Sequence, residues 1–511
     1  MNTSPFQARF STTDSQIETW SGLHGSALAL ALLSAARAHR DISLVITRSS
    51  HQAQLLARDL QLLSSGPLPV LQIPDHETQP YDPFSPHPDI IAERLKTLSE
   101  LSTLKTGLLL VPVSSLAQRL PPAEYILQRS FRLKKGQSLV IEEFRQRLQH
   151  AGYESSEQVY QSGQYAVRGS VLDLFPSGSP APFRLDLFDE EIDSIREFDP
   201  ESQRSTGKVD EIDMLPAREY PADEESLDLF RRAFRNRFDV DTRRVTLYQD
   251  LRSGIHPQGL EQYLPLFFTE TSSILDYLPR PPQLVLQEGV YKAAEDQARR
   301  TTERWEQRRH DIERPLLNPE ELFFSTEYLR ERLEGFNTVH LLEPDKNRRS
   351  APLFLSEEAP DVHIHERGKS AAAKLVDFVD GFDGKILFAA DTAGRREVLR
   401  TTLTAFGIKP KTFESYAAFH GEGKRLGLAV LPIDEGFVIP GELALLTESQ
   451  LFGGRTRPKT QRAVSERDPE SIIRNLTDLS AGAPVVHEDL SLIHISEPTR
   501  LGMLSRMPSS A

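Results

Sequence analysis

Apolar and polar positions along the chain follow two rhythms, and residues 1–130 show both. Gly107–Val113 is an unbroken apolar run, as a strand covered on both faces requires; Ile42–Ile46 is apolar but for Ser43, and Val70–Ile73 is a shorter stretch broken only by Gln72. Between them, Ala27–Ala38, Gln52–Leu63 and Ile90–Leu101 carry apolar residues at helical spacing. Alternating strand and helix signals predict a parallel sheet with helices packed outside it.

The rhythm changes near residue 131. After a helix over Ile141–Ala151 come short strands rich in Phe, Leu and Val at Tyr165–Phe175 and Phe183–Phe188. The turn between them, Pro176-Ser177-Gly178-Ser179-Pro180, reverses the chain. Residues 131–215 therefore read as a small α+β unit of antiparallel hairpins. Residues 216–350 read as long helical stretches, above all Glu288–Ile312, whose mixed Arg and Glu suit a solvated face. Residues 351–455 return to α/β. A helix over Ala371–Val379 and a strand over Lys385–Ala389 precede a helix around Arg395–Ala405, with Asp391 as its N-cap and Gly407 closing it. The polar stretch after 455 reads as a linker.

Composition narrows the function classes. At 511 residues and 38% hydrophobic, the chain is long enough for several packed domains. It shows no apolar run of bilayer length and no signal-peptide pattern, so a cytoplasmic protein is expected, away from membranes. The absence of cysteine removes disulfides and thiolate metal sites. Acidic residues outnumber basic ones, 74 to 60, for a net charge of −14, which argues against a surface built to grip duplex DNA. The short basic stretch Arg455, Arg457, Lys459 and Arg462 reads as solvated linker.

Candidate chemistry is sparse. Gly22-Leu23-His24-Gly25-Ser26-Ala27-Leu28-Ala29 precedes the first helix as a phosphate loop would. Leu28 and Ala29, however, stand where the phosphate-binding lysine and the magnesium-binding hydroxyl belong. Gly22, Gly25 and Ser26 are thus what is left of a non-functional loop. The acidic groups Asp189-Glu190-Glu191 and Asp434-Glu435 read as exposed strand ends, and His363-Ile364-His365 lacks further metal ligands. In Phe183–Phe188, alternation sends Phe183, Leu185 and Leu187 to one face and Arg184, Asp186 and Phe188 to the other. An aromatic ring beside an arginine on the polar face, with Arg168 in the neighbouring strand, fits a protein interface or a half-covered sheet.

Several stretches resemble one family. His76-Glu77-Thr78-Gln79-Pro80-Tyr81-Asp82-Pro83-Phe84-Ser85-Pro86-His87-Pro88-Asp89-Ile90-Ile91, Val111-Pro112-Val113-Ser114-Ser115-Leu116, Gly163–Gly169, Leu172–Pro176, Phe183–Asp186 and Phe188–Asp193 are similar to the N-terminal part of bacterial transcription-repair coupling factors, the Mfd family. Ile473–Leu476 and Pro484–Glu488 resemble the approach to that family's polymerase-interacting domain.

The resemblance implies a degenerate NTPase-like α/β domain in two parts, 1–130 and 216–350, split by the 131–215 insert. It also implies a small α/β domain at 351–455 and the start of the polymerase-interacting domain by 456–489. It makes the insert a docking site for UvrA, with Arg168, Arg184 and Phe188 at the contact positions. After Asp489 the pattern departs from the family, and 490–511 is expected to be a non-native tail that does not fold. In this reading the chain is a monomeric docking module and not an enzyme, without a cofactor of its own. ATP, magnesium, the translocase, RNA polymerase and DNA belong to regions it does not carry. The competing class is a UvrB-like nucleotide-dependent damaged-DNA-loading enzyme. That enzyme needs the missing loop lysine and a long hydrophobic hairpin, for which Leu104–Pro122 offers no candidate.

Overall fold

The computed structural model describes residues 3–11, 17–344, 353–364 and 372–453, and the backbone of 484–487 and 491–494. Residues 1–453 form one compact unit.

Three six-stranded sheets organise that unit. The first is wholly parallel, with Ile17–Trp20, Thr338–Leu341, Gln283–Gln287, Ile42–Thr47, Gly107–Pro112 and Val70–Gln72 side by side. The apolar runs lie in its interior, and every residue of Ile42–Thr47 and Gly107–Pro112 is buried. The expected α/β class with a parallel sheet is what forms. Three of the strands escape a reading by local pattern. Ile17–Trp20, Gln283–Gln287 and Thr338–Leu341 are short, and two of them lie in the region read as helical. That region also holds 3-10 turns, and its long helix runs from Val290 to Arg308 with only Val290, Ala294 and Thr301 buried.

The second sheet lies wholly within 154–209, in the order Ser205–Val209, Glu191–Phe198, Phe183–Phe188, Val171–Leu174, Gln164–Arg168, Glu154–Ser155. All its pairs are antiparallel except the last, Glu154–Ser155 with Gln164–Tyr165, which departs from a pure hairpin stack. Its core is its own: Phe144 and Leu148 of one helix against Tyr165, Leu172, Leu185 and Ile195. Phe131–Lys134 and Glu211–Met214 pair where the chain enters and leaves.

The third sheet is mixed. Leu443–Thr447, Lys385–Ala390, Leu426–Val430 and Lys411–Thr412 run parallel, and Phe437–Ile439 folds back antiparallel on Leu443–Thr447. The helix Ala393–Ala405 is capped by Thr392, whose hydroxyl accepts from the amide of Arg395 at 3.2 Å, and not by Asp391. Gly407 follows with φ +82 and donates its amide to Thr404 O, a left-handed stop that glycine adopts without strain.

The helix Ala27–His39 is apolar nearly all round, which makes sense only if it is covered on more than one side. It packs on Gly107–Pro112 of the first sheet and on Phe437–Ile439 of the third, and one continuous core spans both sheets. In the remaining segment Pro484–His487 pairs antiparallel with Ser491–His494, so the expected absence of fold after 490 does not hold for those four residues. The basic stretch Arg455–Arg462 and residues 495–511 lie outside the described residues.

Candidate docking face and the Gly22–Ser26 loop

The second sheet has one face on its core and one turned outward. Phe183, Leu185 and Leu187 are buried, while Arg184 and Asp186 are half-buried and Phe188 is 75% exposed, as strand alternation requires. Cross-strand register places Ala166, Asp173, Arg184, Arg196 and Lys208 in one row across five neighbouring strands.

Asp173 anchors that row. Its side chain is 0% exposed, and a buried carboxylate is tolerable only when paired and hydrogen-bonded. Arg184 meets it through both ends of its fork, Nε to Oδ1 at 2.6 Å and Nη2 to Oδ2 at 2.8 Å, and Arg168 also pairs with Oδ2. Hydrogen bonds to Asp173 push the Arg184 guanidinium still further towards its charged form. Arg184 also gives Nη1 to Gln203 O at 3.3 Å and lies 4.9 Å from the Phe198 ring centroid. Beside this pair, Arg196 donates to Asp186 at 2.6 Å, and its Nε is buried without a partner.

Arg168, Arg184 and Arg196 thus line one shallow depression of about 460 Å³ with Gln158, Val171, Asp186 and Gln203. Phe188 stands apart at the hairpin tip, where Asp189 takes φ +54 to turn the chain into Glu191–Phe198. Asp189, Glu190 and Glu191 are exposed there. The three sequence candidates are therefore close but not equivalent. Phe188 is free, Arg168 is half exposed, and most donors of Arg184 are held within the protein. Arg196 is the residue that sequence reading misses. Strict alternation along Glu191–Phe198 would put it on the core face with Ile192, but the register shift between Ile192 and Ser194 turns it outward.

At the start of Ala27–His39, Gly22 and Gly25 both take positive φ, the backbone shape of a loop before a helix. The space beyond is filled by the third sheet's 434–436 segment. The Ser26 amide donates to Glu435 O at 3.2 Å and the Ser26 hydroxyl to the same oxygen at 3.0 Å and to Asp59 at 2.6 Å. A Cβ on Gly25 would lie 2.5 Å from Gly436 O. Arg58 pairs with Asp434 at 2.7 Å, so Asp434 is an inter-sheet contact, a correction to its reading as an exposed strand end. With the amide engaged by a carbonyl and no lysine or hydroxyl in the cation positions, the loop does not fit a nucleotide phosphate.

His365 lies outside the described residues, and no metal-capable group of His, Asp and Glu occurs among the described ones. Nor is any helix there long and apolar enough to cross a membrane.

Residues 131–220 match the family model described as the UvrB interaction domain, and residues 378–451 that described as MFD, D3 domain. The transcription-repair-coupling factor of Haemophilus influenzae is 37% identical over 494 residues, covering 96% of this chain and 43% of that protein. That of Escherichia coli is 38% identical over 421 residues, covering 82% and 36%, and that of Bacillus subtilis 26% over 504 residues, covering 91% and 40%. The chain spans under half the length of these curated relatives.

Proposed function

As the chain belongs to the transcription-repair-coupling factor family over the region it spans, we propose that it serves such a protein as its cytoplasmic UvrA-docking module. The contact surface in this reading is the outer face of the 131–220 unit. One coincidence carries it: the stretch matched to a UvrB interaction domain bears both an exposed phenylalanine at a hairpin tip and an arginine-lined depression. Arginine and aromatic side chains are the types that dominate binding energy at protein interfaces. We assign no ATP turnover to the Gly22–Ser26 loop. The ATP- and magnesium-dependent motor of the whole protein, and its engagement of RNA polymerase and DNA, fall in this reading to regions outside this chain.

The test is binding of purified UvrA to the chain beside an Arg184→Ala, Phe188→Ala double variant. The double change should weaken binding by on the order of 2–4 kcal/mol. Phe188→Ala alone is the cleaner arm, because that ring supports no core. A well-folded chain that binds no UvrA would overturn the reading. A nucleotide-dependent DNA loader would instead hydrolyse ATP above background when DNA is added.

A further inference from the structure

The cation row on the outer face is expensive to build. Arg184, Arg196 and Lys208 stand directly opposite one another on three adjacent strands, and like charges in that relation destabilise a sheet. Asp173 relieves only one end of the row, where it already serves both Arg168 and Arg184. Asp186 serves Arg196, and Lys208 is exposed with no carboxylate across from it in register. Three guanidinium groups and one carboxylate, Asp186, line the depression, with Asp173 buried beneath it, on a chain whose net charge is −14. The exposed cation surface lies with Arg168, whose side chain is half exposed, with Arg196, whose side chain is one third exposed, and with Lys208.

We propose that Arg196, with Lys208 beside it, is a further specificity-determining contact for the partner protein. The partner would insert a carboxylate side chain, Asp or Glu, between Arg196 and Arg168. This rests on the docking reading and deepens it, adding an electrostatic anchor to the apolar one at Phe188. A guanidinium fork matches a carboxylate in two directions at once, so the added group would offset the cation excess that the isolated sheet carries. A protein partner is favoured over nucleic acid because the cations number only four, on a domain that also exposes an aromatic ring and in a chain that is acidic.

The experiment measures UvrA affinity of the full chain at low and high salt for wild type, Arg196→Ala, Arg196→Lys and Lys208→Glu. Arg196→Ala should weaken binding about tenfold or more and flatten its salt dependence, with Arg196→Lys in between. Lys208→Glu, on an exposed position that cannot upset the core, should weaken binding in the same direction with a melting temperature no lower than that of the wild type. Wild-type binding that both Arg196→Ala and Lys208→Glu leave untouched would overturn the inference while the docking reading stands. No binding by the folded wild type would overturn both. Titration with a single-stranded oligonucleotide is the remaining arm. A loss on Arg196→Ala confined to the oligonucleotide would make the row a phosphate reader and overturn the carboxylate assignment.

Discussion

At the scale of single residues, buried charge is the most informative feature. Asp59 receives the Ser26 hydroxyl on one oxygen, while its other oxygen is buried with only the Arg58 guanidinium nearby, at 3.6 Å. Burial pushes its carboxyl up to about 6, against the opposing pull of Ser26 and Arg58. A raised acid favours folding in its protonated form. Its stabilising contribution is complete below the ordinary carboxylate range near 4 and is lost as pH rises through about 6. Asp59→Asn, which keeps a group able to accept from Ser26, should therefore raise stability at pH 8 by about 2–3 kcal/mol. It should also flatten the pH dependence between about 4 and 6. Denaturant unfolding across that range checks it, and an unchanged slope would mean that Asp59 is ionised in the fold.

At the scale of elements, the helix Pro88–Leu101 is tied to the chain leaving the insert by a buried triad. Arg94 donates to Glu219 at 2.8 Å and to Pro74 O at 2.7 Å, and His76 meets the other Glu219 oxygen at 2.9 Å. Burial alone would raise the Glu219 carboxyl, but Arg94 and His76 outweigh it and hold it at about 2. Its stabilisation is present above the ordinary carboxylate range and is lost only as pH falls through about 2. Glu219→Gln leaves Arg94 buried beside a neutral partner and should cost about 3–5 kcal/mol of stability. A loss under about 1 kcal/mol, read from denaturant midpoints, would show that water reaches the site. The triad couples residues more than a hundred positions apart, so no local pattern announces it.

At the scale of the whole molecule, the first and third sheets share a core around the helix Ala27–His39, and the Gly22–Ser26 loop is part of that joint. Gly25→Ala meets two penalties there. Its φ of +49 is unfavourable for alanine, and the new methyl would press on Gly436 O. The substitution should cost about 2–4 kcal/mol and split a single thermal transition into two, as the 351–453 region loosens from the rest. One cooperative transition at an unchanged temperature would show that the joint contributes little. The 131–214 sheet has a separate core, which leaves its outer face free to take a partner without disturbing the joint.

The sequence by itself determined the elements with strong local rhythm: the apolar strands Ile42–Thr47 and Gly107–Pro112, the helices between them, and the two-faced strand Phe183–Phe188. Burial on both faces demands continuous apolar residues, and burial on one face demands alternation, so both leave a written trace. Alternation also found Arg184 and Phe188, with Arg168 placed beside them in the neighbouring strand, and the resemblance pointed to the same three. Tertiary structure alone decided which side chains have free donors, because Asp173 and Gln203 reach Arg184 from other segments. It also decided that Arg196 faces outward, since a one-residue bulge inverts every later side chain without changing composition. Only the tertiary structure shows what sits on the Gly22–Ser26 loop, because the Glu435 carbonyl that covers it comes from 409 residues further along the chain, and backbone contacts carry no sequence signature.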